Sequence, residues 1–369
     1  MQKGFAGTWF TTFGAMLLEH NGSGVSGSYR YGAVEGTLKG TVRGRTLHFS
    51  YVEPSERGTG SFRLVRSGKF AGEYRPKGQR DARRWDGHRG WDGLWDTDFG
   101  RMRLAQDGSR VGGSYAGSGH GSISGTVRGD ELSFRYKEKR ASGEGRFSLC
   151  ADGTEFAGQW RARAKGRWMP WTGRRTQPIP GITWLLVLEA YWQRSLVDPE
   201  YSFGNMLREV FARQPQVRVR QRFFHDSESL LHWCRELHYL PEPAILMIAS
   251  HGLAEGLSVR GELVDTRRVI ESLGDAENLK LLHFSSCLVG ADGHKALRGK
   301  RWPISGYTTS VDWGASALLE FTYLDLMLNR GLSPAQAAAA LPRLVPYAGD
   351  RAPRGSPYRA AGFRFFPPR

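Results

Sequence analysis

Two short stretches carry residue types suited to nucleophilic chemistry. "ILMIASHGLAEG" (Ile245–Gly256) is an apolar run that stops at Ser250-His251-Gly252. "KLLHFSSCLVG" (Lys280–Gly290) is a second one, stopping at Ser285-Ser286-Cys287. A cysteine attacks as the thiolate, and an imidazole beside it lowers the barrier to forming that species. The tetrahedral intermediate then needs backbone N–H donors. Gly252 lets the main chain approach closely, so its N–H and that of Cys287 are the candidate oxyanion donors. Nucleophile, base and oxyanion hole thus fall in two short loops. His283 lies inside its run and reads as a core or sheet-face residue. A zinc site from Cys287, His251 and His283 lacks the close ligand pairs such sites use. No metal and no cofactor is expected.

The elements that must position these residues are legible from Ile182 onward. "ITWLLVLEAYW" is strand-like, and "SFGNMLREVFARQ" (Ser202–Gln214) has helical spacing with Ser202 as N-cap. "VRVRQRFF" reads as a strand, and "DSESLLHWCRELHYL" as a helix opening on a capping box. After the His251 stretch come a short hairpin, "GLSVRGELVD", the helix "DTRRVIESLG" and the Cys287 strand. "PISGYTT", two helices and a last edge strand, "GFRFFPPR", follow. Strands alternating with helices predict a mostly parallel sheet flanked by helices. Chemistry gathers at the carboxyl ends of such strands. One crossover helix between the two strands makes them neighbours, which brings His251 toward Cys287.

An apolar strand ending in His-Gly, followed tens of residues later by one ending in Ser-Cys, resembles the caspase-like cysteine peptidases. That group includes caspases, metacaspases, clostripain-type enzymes and bacterial CHAT-type domains, and the resemblance covers residues 181–369. It implies a hydrolase, a cysteine endopeptidase working through an acyl-enzyme. His251 is then the base, Cys287 the nucleophile and Gly252 an oxyanion donor. It also implies that "ISGYTTSVDWG" (Ile304–Gly314) pairs with the substrate backbone by strand addition. Ser285, Tyr307, Asp312 and Trp313 are the substrate-binding candidates. Metacaspase-like members carry an acidic residue shortly before the nucleophile, where this chain has Ser285 and Ser286. Caspases carry an arginine in the later segment to read a P1 aspartate, where this chain has Asp312. A buried carboxylate there favours cleavage after Arg or Lys; Asp312 can equally cap a helix starting near Gly314. The resemblance permits a bacterial stress or defence setting. Acyl transfer would use the same acyl-enzyme, and no EF-hand calcium loop is present.

The first half is a duplication. "GTWFTTFGAMLLEHNGSGVSGSY" at Gly7 matches "GLWDTDFGRMRLAQDGSRVGGSY" at Gly93, and "GTLKGTVRGRTLHFSY" at Gly36 matches "GSISGTVRGDELSFRY" at Gly121. Alternating runs between glycine-centred turns predict antiparallel meanders or small barrels. Trp9, Tyr29, Phe49, Phe62, Phe70 and Tyr74 recur as Trp95, Tyr115, Phe134, Phe147, Phe156 and Trp160, the aromatic core of each unit. The chain is therefore expected to be multidomain, with duplicated all-β units followed by an α/β domain. The expected boundaries are a β repeat over 1–76, a basic linker over 77–91, a second repeat over 92–164, a basic proline-containing linker over 165–180 and the α/β domain over 181–369. If P1 is basic, Arg161–Arg175 is a candidate self-cleavage region.

Charge separates the halves. Residues 1–180 hold 30 Lys and Arg against 17 Asp and Glu, a surplus of 13; residues 181–369 hold 22 against 19, a surplus of 3. Such a field attracts anionic surfaces and partners. The rival function is accordingly an inactive caspase-like scaffold whose basic β repeats bind an acidic partner. The expected partners are a protein or peptide substrate and a regulatory protein held by the repeats. Three cysteines are too few for a disulfide framework and suit a reducing compartment. No run has the apolar length of a membrane span or a secretory h-region, so a cytoplasmic location is expected.

Overall fold

A computed structural model describes residues 4–117, 120–162, 166–193, 195–198, 201–291, 297 and 300–369. The chain forms two compact units, Met1–Pro180 and Gly181–Arg369.

The first unit holds two closed antiparallel barrels. In the first, seven strands run as a meander from Gly7–Thr11 to Lys69–Pro76. The short strand Gly87–His88 closes the ring by pairing with both ends of the meander. In the second, eight strands run from Gly93–Thr97 to Met169–Thr176, and these two pair with each other. Both stretches expected to be linkers thus contribute strands to a barrel wall, Arg83–Arg84 and Gly87–His88 in the first and Met169–Thr176 in the second. The cause is a buried indole in each stretch: Trp85 enters the core of the first barrel although Arg83 and Arg84 before it face water, and Trp171 fills the same place in the second barrel. The basic charge of both stretches masked these buried aromatics. The proposed self-cleavage region meets the same objection, because Met169–Thr176 is a wall strand and Arg175 is buried. Its residues 163–165 lie outside the described residues. Of the six recurring aromatic pairs, every member is buried except Trp160, which is half-buried. Side chains fill a barrel of this size.

Arg89 and Arg175 are counterparts in the duplication. Arg89 stands 4.3 Å over Trp9, and Arg175 stands 4.2 Å over Trp95 and 4.4 Å over Phe10 of the first barrel. Asp92, wholly buried, accepts from His88 Nδ1 at 2.6 Å, from Gln106 N at 2.9 Å and from both Nε and a terminal nitrogen of Arg66. Burial alone would raise its carboxyl; His88 and Arg66 outweigh burial and hold it below the ordinary range.

The second unit has a six-stranded sheet. In chain order its elements, with those of a small second sheet, are β1 (Thr183–Ala190), α1 (Phe203–Phe211), β2 (Val217–Phe224), α2 (Ser227–Glu236), β3 (Ala244–Ala249), β4 (His251–Leu253), β5 (Gly256–Val259), β6 (Glu262–Asp265), α3 (Thr266–Ser272), β7 (Leu279–Ser285), β8 (Ile304–Tyr307), α4 (Trp313–Leu328), α5 (Pro334–Leu344) and β9 (Phe363–Phe366). The main sheet runs β2-β1-β3-β7-β8-β9, parallel except for β9. Alternate residues of β3 enter two cores. Leu246 and Ile248 pack with Leu230, Cys234 and Val269 of α2 and α3. Ile245 and Met247 pack with Leu207, Leu319 and Leu341 of α1, α4 and α5. Strands buried on both faces explain the unbroken apolar runs in the sequence. β4, β5 and β6 form a small antiparallel sheet beyond the end of β3.

Candidate active site

β3 and β7 lie side by side, and their last registered pair is Ala249 with Ser285. Two residues beyond that pair stand His251 and Cys287, each just outside the sheet. The intervening serines tie the exits together. Ser250 N donates to Ser286 Oγ at 3.3 Å, the two hydroxyl oxygens are 3.3 Å apart, and Ser250 Oγ donates to the His251 carbonyl at 3.0 Å. Both serines are buried, so these bonds satisfy groups that would otherwise be costly there.

Gly252 is required by sterics. A Cβ on it would fall 2.0 Å from the Cys287 carbonyl oxygen and 3.0 Å from the Cys287 nitrogen. Directly after the cysteine, Leu288 has φ 60°, and Val289 N donates to Cys287 O at 2.8 Å. This is a three-residue turn through a left-handed, non-glycine centre, a strained arrangement of the kind that gathers at functional sites. Leu288 N donates to Thr309 O at 3.2 Å and Gly290 N to Tyr307 O at 2.8 Å, which pin the turn to the end of β8 and the segment just after it.

The thiol of Cys287 is half-buried and engaged. Its Sγ donates to the Val311 carbonyl at 3.6 Å and accepts from Val311 N at 3.4 Å. His251 is exposed, and its ring meets Trp192 at 5.2 Å, nearly perpendicular. Among the described residues no hydrogen bond joins His251 to Cys287, and the Cys287 N–H has no acceptor. The fold delivers the two to one edge with the thiol turned onto Val311.

Sequence reasoning missed the support behind His251. Glu189, wholly buried at the end of β1, accepts from Trp192 Nε1 at 2.9 Å, Ser202 Oγ at 2.8 Å, Phe203 N at 2.8 Å and Gly204 N at 3.3 Å. A carboxylate suits that place because the first N–H groups of α1 are unpaired donors at a positive helix end. Trp192 continues to Tyr201 at 6.4 Å, and Tyr201 to Trp313 at 4.8 Å. The row carries aromatic rings from His251 to Trp313. A lone acid ending an apolar strand, followed by "AYWQ", was the available signal.

The four substrate-binding candidates separate. Trp313 is 48% exposed at the start of α4. Asp312 is exposed, and its Oδ1 accepts from Ala315 N at 2.9 Å, so it caps α4 and is not a buried pocket carboxylate. Ser285 is half-buried at the end of β7. Tyr307 is wholly buried and donates to Glu320 Oε1 at 2.9 Å, which corrects its assignment to substrate. It lies on a covered strand, and its phenol serves the same core network as His283, whose Nε2 is 3.0 Å from Glu320 Oε1 and whose Nδ1 is 2.8 Å from Ser305 Oγ. Burial foremost, then Glu320, pushes the Tyr307 hydroxyl far above its usual range. His283 is thus a core residue.

Of the other cysteines, Cys150 is exposed and Cys234 is buried, with burial pushing its thiol up to about 12. Among the described residues no group of three or more His, Cys, Asp or Glu side chains could hold a metal, and no helix is long and apolar enough to cross a membrane.

No family model matches this chain, and no curated protein matches it. Among solved structures, Aeromonas veronii immune modulator A aligns with 48% of this chain and 96% of its own length, at 9% identity and a TM-score of 0.18. A superposition that loose carries neither fold nor role to this protein.

Proposed function

We propose that the second unit is a caspase-like cysteine endopeptidase, with Cys287 as nucleophile and His251 as base. The observation that supports it is the delivery of both residues, at the same distance past one registered pair, to the carboxyl edge of adjacent parallel strands. In the reaction His251 takes the thiol proton, and the thiolate adds to the scissile carbonyl. The N–H groups of Cys287 and Gly252 hold the oxyanion. Collapse breaks the C–N bond, His251 returns the proton to the leaving amine, and a thioester remains. Water, giving a proton to His251, then releases the carboxylate and restores the thiol.

A preference for Arg or Lys at P1 belongs to this proposal only through the second oxygen of Asp312 at the rim. The engagement of Sγ by Val311 favours the second reading, an inactive scaffold. Digestion of a diverse peptide library by the wild type and by Cys287→Ala, read by mass spectrometry, separates them. Cuts that share one P1 residue and vanish in the variant are expected. An identical, uncut library from both proteins would favour the scaffold.

A further inference from the structure

The two barrels carry the same outer groove, and their lining has diverged. In the first barrel it is a groove of 540 Å³ bordered by Lys39, His48, Ser50, Ser61 and Ala82. In the second, the counterparts of those residues are Ser124, Ser133, Arg135, Arg146 and Trp168, around 360 Å³. The basic groups have been relocated: Lys39 and His48 are replaced by serines, two serines by arginines and an alanine by a tryptophan, so the second groove gathers its charge on guanidinium groups beside an indole.

The added groups act together. Trp168 has the Arg161 guanidinium 4.5 Å from its ring centroid and that of Arg146 at 5.9 Å. Arg161 is further fixed by Glu144, donating from Nε at 2.7 Å. Cation–π contact holds guanidinium planes that otherwise sweep freely through solvent. Arg135 is exposed, lies opposite Glu144 in the strand register and forms no ion pair among the described residues. A second groove of 560 Å³ shares Ser124, Arg135 and Glu144 with the first and adds Lys137, Ser122 and Ser142. The two make one continuous track, floored by hydroxyls and lined by Arg135, Arg146 and Lys137, with Glu144, the acid that holds Arg161, among them.

We propose that this track on the second barrel binds a linear acidic polysaccharide. A track of two linked pockets fits successive units of a chain better than one small anion. Guanidinium groups read sulfate or carboxylate through charge-assisted bonds, and the serine floor can exchange hydrogen bonds with ring hydroxyls. Single-stranded nucleic acid needs open aromatic faces on which bases stack, and the indole here is occupied by arginine. The surplus of 13 positive charges on residues 1–180 raises the encounter rate, whereas the groove supplies the site.

The test uses the full chain with heparin as the probe, titrated by calorimetry at several salt concentrations. The double variant Arg135→Ser/Arg146→Ser restores the residues of the first barrel, at positions where that barrel folds with serine. Trp168→Ala is the second variant, and Arg43→Ser/Arg63→Ser removes the same charge from exposed positions on the first barrel. We expect Kd to rise about tenfold or more in the groove variants, as for loss of one charge-assisted bond or more, and less than about threefold in the control. Equal losses in groove and control variants would reduce the effect to a diffuse field and overturn the proposal. So would absence of heparin binding at low salt, or tighter binding of a poly-thymidine oligonucleotide than of heparin.

Discussion

Gly252 rests directly against the backbone of Cys287, so closely that a single added carbon would lie 2.0 Å from the Cys287 carbonyl oxygen. The two loops meet through main chain, and backbone cannot rotate away as a side chain can. Substituting Gly252→Ala must therefore displace one loop. On the peptidase reading, cleavage should fall by about a hundredfold or more, the size of losing an oxyanion donor. Steady-state kinetics on a library-derived peptide checks this, with circular dichroism confirming the fold; near-normal kcat/KM would show that the contact is not part of the site.

Trp192→Leu removes the ring that packs on His251 and leaves Glu189 with one donor fewer. We expect kcat to fall about tenfold with KM little changed, since misplacing a base penalises the chemical step. A rise in KM at constant kcat would assign Trp192 to substrate binding.

Asp312→Ala separates cap from pocket. Loss of the cap on α4 should cost about 1 kcal/mol, read by urea unfolding. If Asp312 also contacts a basic P1 side chain, KM for Arg and Lys substrates rises while other substrates are unaffected. Loss of stability alone would leave it a cap.

Thiol labelling should sort the three cysteines. Exposed Cys150 and half-buried Cys287 should react in the native protein near neutral pH, whereas Cys234, buried and with its thiol pushed up to about 12, should react only after denaturation. Mass spectrometry of alkylated peptides reads this directly, and native labelling of Cys234 would mean that the α2 face opens readily.

Asp92 links stability to pH. Its carboxyl sits lower in the folded state than in the unfolded chain, so its contribution is fully present above the unfolded value, near 4, and is lost as pH falls through the folded value. Asp92→Asn should cost about 3 kcal/mol at pH 7, as for breaking a buried pair, and flatten the acid limb of the unfolding curve. An unchanged acid limb would shift the linkage to other carboxylates.

How much was legible in advance differs between the two units. The duplication, the aromatic positions of both barrels and the β/α alternation of the second half are local patterns of period 2 and 3.6, and such patterns survive in a single sequence. His251, Gly252 and Cys287 stood out because polar groups that end apolar strands have few structural uses. Chain closure was not legible. Whether "DARRWDGHRGWDG" is a linker or a wall depends on whether the meander curls far enough to accept it, and that is set by pairing partners some 75 residues away. The role of Tyr307 was hidden for the same reason, since Glu320 approaches it from a helix formed later in the chain. So was the Glu189–Trp192 support of His251, and the grip of Val311 on Cys287. Sequence by itself determined which residues could do the chemistry and on which strand ends they sit. Only the tertiary structure decided which main-chain groups touch them, because those contacts join segments that share no local pattern.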